Sequence, residues 1–382
     1  MKKLSVALIF LILFFSIQIH AQTWSGLKRL TWNSGISSRP WVAAVSGSSI
    51  HVVWSDRTPG DAEIFYRRST DGGTTWLALK RITWNSGDSS VPGLAVAANN
   101  DIHLVWYDKT PGNFELFHRK STDGGNTWSA LKRLTWSAGD SLFPAIATDY
   151  GNGVHIAWMD KKSGNEEIYY KRSADGGTTW SAIKRMTWNF GTSSNPSIAV
   201  DSANGIHLTW EDNTSGNAQI IHKKSTDSGA SWTALKRITW NSAGAYEPSI
   251  CTDSSNGVYV IWEDENPGNF EIFFKHSTDA GATWSALKRM TWNAGDSYGS
   301  AVAADSGTGV HIVWQDNSSG NMEIYYREST DSGGTWSVVK RLSWNTGASS
   351  FPNITSDSSN GIHVGWADNT PGNTEIFYKN RK

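Results

Sequence analysis

The sequence predicts an all-β fold, a seven-bladed β-propeller built of four-stranded antiparallel blades, and three observations carry that expectation. Trp24, Trp76 and five more tryptophans ending at Trp336 recur every 52 residues. Two further tryptophan columns, from Trp32 to Trp344 and from Trp54 to Trp366, keep the same period, so that 21 of the 22 tryptophans fall in register and only Trp41 stands outside. Each period holds four short apolar or alternating runs separated by turn residues, and a four-stranded unit recurring at about 50 residues is the mark of a propeller blade.

The elements follow in chain order. Lys2 and Lys3, an apolar run from Leu4 to Ile19 and the small residue Ala21 read as a cleaved secretory signal peptide over residues 1–21. Residues 22–382 are then a single propeller domain, secreted or periplasmic, with no apolar run of the roughly 18–20 residues that a membrane span needs. In the fourth copy the strands are expected at 197–201, 205–211, 219–224 and 231–240, with turns at 202–204, 214–217 and 227–229. The first strand carries small residues (Ala43, Ala95, Ala147, Ala199, Ala303), as crowding around one axis demands. The last copy stops after a third strand at 374–379, while the chain enters through a fourth strand at 23–32 that has no third strand before it. The two fragments should complete one blade and close the ring, which removes exposed sheet edges.

Composition excludes several classes. Formal net charge is -1, and loss of residues 1–21 with their two lysines leaves 32 basic against 35 acidic residues, so the basic footprint of a nucleic-acid binder is absent. The lone cysteine, Cys251, forms no internal disulfide. The chain is expected to act as a monomer.

The run Ser69-Thr70-Asp71-Gly72-Gly73-Thr74-Thr75-Trp76 and its copies around Asp123, Asp175, Asp227, Asp279 and Asp331 resemble the Asp-box, or BNR repeat, of sialidase-like β-propellers. The resemblance spans essentially all of residues 22–382. It implies a structural hairpin between the third and fourth strands, on the face opposite the active site. The residues themselves agree: the Asp71 carboxylate can accept turn amides, Gly73 can take a positive φ and Trp76 can bury a large ring.

Columns shared by all seven copies read as structural. Asp56 and its equivalents, followed four residues later by glycine, fit a turn closed by a side chain. The histidine column (His51, His103, His155, His207, His311, His363, with Tyr259 in the fifth copy) lies among Val, Ile and Leu and reads as inter-blade packing, because zinc requires three or four converging ligands. No metal and no cofactor is expected. Lys28-Arg29 and its copies read as charges that blunt the outer edge of each blade. A tryptophan invariant in seven copies, at Trp32 as at Trp54, reads as core, although a surface ring there would stack on sugars.

The scattered columns point to function. One reads Arg39, Val91, Phe143, Asn195, Glu247, Gly299, Phe351, just before the first strand; another reads Ser55, Tyr107, Met159, Glu211, Glu263, Gln315, Ala367. A third reads Arg57, Lys109, Lys161, Asn213, Glu265, Asn317, Asn369. All three should gather at the face opposite the Asp boxes, where such folds bind ligands. Candidate ligand-binding residues are therefore Arg39, Arg57, Tyr107, Glu211, Glu247 and Glu263. The resemblance implies, for a sialidase, three arginines on the substrate carboxylate, a Tyr-Glu nucleophile and an Asp acid/base. Arg39, Arg57, Tyr246 and Glu247 are the catalytic candidates on that reading, but the arginine triad lacks a member. The favoured reading is a non-enzymatic binder of a glycan or a protein surface. The alternatives are an exo-sialidase-like glycoside hydrolase and an envelope scaffold.

Overall fold

The computed structural model describes residues 23–44, 47–240 and 242–382, so the leader expected at residues 1–21 lies outside the described residues. Every regular element among them is a strand, and the strands form seven four-stranded antiparallel sheets. In the first blade Ser37–Ala44, Ile50–Asp56, Glu63–Ser69 and Lys80–Arg81 lie side by side in chain order. The seventh takes Ser349–Ser356, Ile362–Asp368 and Glu375–Arg381 from one end of the chain and Lys28–Arg29 from the other, with Lys28 opposite Tyr378 and Arg29 opposite Phe377. This is the closure that the incomplete first and last copies require.

Strand limits differ from expectation in two ways. The inner strand of the fourth blade is Ser193–Val200, four residues longer at its start, because a bulge between Ser194 and Ser197 lets pairing resume beyond it. Its outer strand is only Lys236–Arg237. Beyond that pair Ile238 N still donates to Ile220 O at 2.8 Å, but the Ile220 amide goes to the Thr239 hydroxyl at 2.9 Å, so a side chain takes over the ladder.

Packing between blades uses the Trp54 column, whose seven rings are 0–1% exposed among Val, Ile and Leu. The Asp box does what its residues predict. Thr75 N and Oγ1 donate to Asp71 at 2.8 and 2.6 Å, Ser69 Oγ donates to Asp71 Oδ1 at 2.8 Å, and Gly73 N donates to Ser69 Oγ at 2.8 Å. These bonds hold the Asp71 carboxyl well below the usual carboxylate range, Thr75 contributing most. Gly73 sits at φ +81°, and a Cβ there would meet the Tyr378 hydroxyl at 2.3 Å; Trp76 packs edge-on against the same ring at 4.9 Å. Each box thus clasps the blade before it.

The basic pairs are not solvated edge charges. Arg81 bonds Glu63 Oε1 at 2.8 Å, and that carboxylate is 1% exposed and also accepts Asn85 N at 3.0 Å; the arrangement recurs at Arg133–Glu115, Arg185–Glu167, Arg289–Glu271, Arg341–Glu323 and Arg29–Glu375. For the arginines the edge reading fails in six of the seven blades, because the register of third and fourth strands sets the arginine over a buried carboxylate; in the fourth blade Arg237 has Gln219 there. Removing one partner of a buried pair costs about 3–5 kcal/mol. Arg133→Ala should therefore destabilise by about 3 kcal/mol, its arginine being partly exposed. Glu115→Gln should cost far less, because Gln219 already occupies that place in the fourth blade. Urea unfolding of both variants checks the difference.

Candidate functional site

The bulge in each inner strand presents one residue to the axis. Arg39, Val91, Phe143, Asn195, Glu247 and Phe351 all have positive φ, between 46° and 52°, and Gly299 takes φ 60° in the sixth blade. For Val and Phe this left-handed backbone is a strained conformation, of the kind that persists where the surroundings over-determine it and that gathers at binding sites. All seven line one cavity of about 720 Å³ at the mouth of the ring. They therefore lie inside the strand, not before it, and the mouth is framed by sheet. Below it, Ala95, Ala147 and Ala303 line a narrower axial channel of about 350 Å³.

The second scattered column largely supports the first. Ser55 Oγ accepts Val91 N at 3.1 Å, Glu211 Oε2 accepts Glu247 N at 2.8 Å, Glu263 Oε1 accepts Gly299 N at 2.7 Å, and Gln315 Oε1 accepts Phe351 N at 2.7 Å. In four of the seven junctions, then, an oxygen from one blade holds the strained amide of the next. Glu211 also accepts Ser194 Oγ at 2.9 Å and Asn195 Nδ2 at 3.1 Å, yet burial raises its carboxyl above the usual range. Glu263 is 5% exposed, and burial together with the neighbouring Glu247 charge pushes it well up.

The mouth is polarised. Arg39 lies 4.6 Å over the Phe351 ring with Val91 beside them on one side; Glu247, Glu211 and Asn195 form the other. Arg57 is not in this cavity. It pairs with Asp88 at 3.0 Å and shares a side recess of about 170 Å³ with Arg39 and Tyr107. Tyr246 turns outward, its hydroxyl 3.5 Å from Glu265 and its ring edge-on to Phe270. Among the described residues lining the mouth Arg39 is the one guanidinium, and Lys161 is the other cation. The structure thus brings together Arg39, Glu211 and Glu247, seats Glu263 behind them, and leaves Arg57, Tyr107 and Tyr246 to the side.

The Asp boxes, between third and fourth strands, lie on the opposite face. Among the described residues no three His, Cys, Asp or Glu side chains converge as metal ligands. The histidines are engaged elsewhere: His51 Nδ1 meets the Tyr66 hydroxyl at 2.7 Å, and His103 Nδ1 meets His118 Nε2 at 3.2 Å.

A family model described as a BNR repeat-like domain matches residues 154–364, more than half of the chain. The chain belongs to the BNR repeat-like family. This BNR repeat-like chain is 25% identical over 283 residues to a sialidase of Bacteroides fragilis, covering 61% of this chain and 50% of that protein. It is 27% identical over 248 residues to a xyloglucanase of Paenibacillus, covering 58% and 23% respectively. The chain therefore spans half or less of the curated relatives it matches. Its fold is shared with a polysaccharide lyase described as an ulvan lyase, at 8% identity with a TM-score of 0.64 over 90% of this chain and 94% of that one.

One side-chain set escaped the sequence reading. Trp32 and its six equivalents are 63–69% exposed, not core. In each period Trp32 and Trp54 are equally invariant, and what separates them is place in the blade: Trp54 lies in the second strand, Trp32 just past the outer one.

Proposed function

We propose that this protein is an exported, non-enzymatic glycan-binding propeller whose ligand enters the mouth framed by Arg39, Phe351, Phe143, Asn195 and Glu247. The observation that carries this reading is the column of seven left-handed residues turned into one cavity of about 720 Å³, within the range of small-molecule sites. Aromatic faces beside an arginine suit a pyranose ring, while Glu247 and Asn195 offer acceptors and donors to its hydroxyls. The sialidase and xyloglucanase relatives support a glycan as the ligand class. The single guanidinium and the outward Tyr246 argue against a sialidase-type carboxylate clamp in this mouth.

Glycan-array screening of the mature chain, followed by calorimetry on the strongest hit, tests the reading. Arg39→Ala should weaken binding about tenfold, or about 1.4 kcal/mol. Turnover of a fluorogenic sialoside that Arg39→Ala abolishes would replace this reading with hydrolysis, and an array without hits would replace the glycan with a protein partner.

A further inference from the structure

The rim tryptophans form a second feature, outside the mouth. Each follows an outer strand and sits where that blade meets the next. Trp32 has Arg29 of its own sheet at 5.8 Å from the ring centroid and Arg67 of the next blade at 5.6 Å. Every one of the seven rings has at least one such cation within 6 Å. The two cations differ in kind. In the Arg29 column all but Arg237 are neutralised by the buried glutamates, whereas Arg67 and its equivalents (Arg119, Lys171, Lys223, Lys275, Arg327, Lys379) have, among the described residues, no carboxylate within salt-bridge distance. Six of them bond backbone carbonyls instead, as in Arg67 Nη1 to Leu30 O at 2.6 Å and Lys275 Nζ to Ile238 O at 3.0 Å. Burial lowers the pKa of all seven from the ordinary value, as it does for a cation without a counter-ion.

A clasp between blades accounts for the cations but not for the rings. A cation bonded to a carbonyl needs no indole, and seven large apolar side chains left about two-thirds in water bury little surface of their own. An indole face beside an uncompensated positive charge fits a pyranose that carries an acid. We propose that the five rim tryptophans with an unpaired cation beside the ring, Trp32, Trp136, Trp240, Trp292 and Trp344, are repeated subsites for an acidic polysaccharide, each stacking one uronic-acid ring with its carboxylate turned toward that cation. The ring of subsites gains from repetition, since one polymer can engage several together. Trp240 is the strongest subsite. It has Lys275 at 5.4 Å and Arg237 at 5.9 Å, and Arg237 also lacks a carboxylate because Gln219 stands where the other blades carry glutamate.

The test uses the mature full chain with polygalacturonate, dextran sulfate and neutral dextran as probes, in affinity electrophoresis at increasing salt. Binding to polygalacturonate that weakens with salt and exceeds binding to dextran is expected. A triple variant, Trp240→Ala with Trp292→Ala and Trp344→Ala, should lose roughly tenfold or more in affinity through lost multivalency. Gln219→Glu supplies the missing counter-ion, so it should hold or raise the melting temperature while weakening polygalacturonate binding. A purely structural role would not weaken binding while the melting temperature holds or rises. Equal binding of dextran, retention only of dextran sulfate, a triple variant that binds as the parent does, or a triple variant that changes only the oligomeric state would each overturn the proposal.

Discussion

Removing residues 23–32 should open the ring and cost more than about 5 kcal/mol, a large part of the roughly 5–15 kcal/mol that holds a typical domain together. The deleted segment contributes little regular structure, since only Lys28 and Arg29 pair as strand. Its effect comes from what it leaves behind. Glu375, fully buried, loses Arg29 at 2.8 Å and keeps an uncompensated charge, a change worth about 3–5 kcal/mol on its own. Ile376 N loses the Thr31 hydroxyl at 2.8 Å, an orphaned buried donor costing about 1–3 kcal/mol. Leu30, 2% exposed, leaves a hole against Ile376 and Tyr378, and Trp24 leaves the edge of Tyr326 at 4.9 Å. The outer edge of Glu375–Arg381 is then unpaired and ready to recruit other chains. Thermal unfolding and size-exclusion chromatography of the truncated chain should show an early, aggregating transition, and a synthetic peptide of residues 23–32 should restore part of the loss. A truncated chain that melts with the parent refutes the closure.

Much of this architecture is legible before any coordinates, for a physical reason. A blade cannot bury its faces alone, so the copies must repeat the same rings, turns and clasps, and Trp54 and Asp56 in seven copies and Asp71 in six show that demand. What repetition hides is direction. Trp32 and Trp54 are equally constant, yet one is 65% exposed and the other fully buried. Lys80-Arg81 looks like a solvated pair although Glu63 lies only 18 residues before it, because the pairing depends on the register of two strands and not on sequence spacing, and Lys28-Arg29 meets Glu375 only through closure. The mouth was harder still. A glycine would have announced a left-handed residue, and the sixth blade does have Gly299, but Val91, Phe143 and Phe351 give no such signal. Val91 and Phe351 are held inside a bulged strand by the bonds of Ser55 and Gln315 across to the next blade, which no local pattern encodes.

The buried histidines should make the fold acid-labile in a defined window. His51 and His103, both fully buried, are lowered from the ordinary value of 6.5 to about 4. Burial is the main cause in each, helped by the Arg68 charge at His51 and by Lys120 at His103, where Asp101 opposes it. His118 and His222 are shifted down further in the same direction by burial, and His207 is lowered too. Above pH 6.5 both folded and unfolded chains hold these rings neutral, and their stability contribution is intact. As pH falls below 6.5 the unfolded chain takes up protons that the folded one refuses, so stability is lost progressively down to about pH 4. His51 and His103 each account for about 3 kcal/mol of that loss. Glu211 and Glu263 act in the opposite sense, because their raised carboxyls are relieved by protonation, but they are two groups against six once His276, also lowered by burial, is included. Chemical denaturation at pH 7.5, 6, 5 and 4 should therefore show unfolding free energy falling steadily. The repeats themselves provide the control. His118→Tyr with His222→Tyr reproduces the pairing of His51 with Tyr66, so it should leave stability at pH 7.5 nearly unchanged and move the acid transition to lower pH. An acid midpoint that does not move in this double variant would assign the lability to the carboxylates, whose low values, as in the Asp box, act below the histidine window.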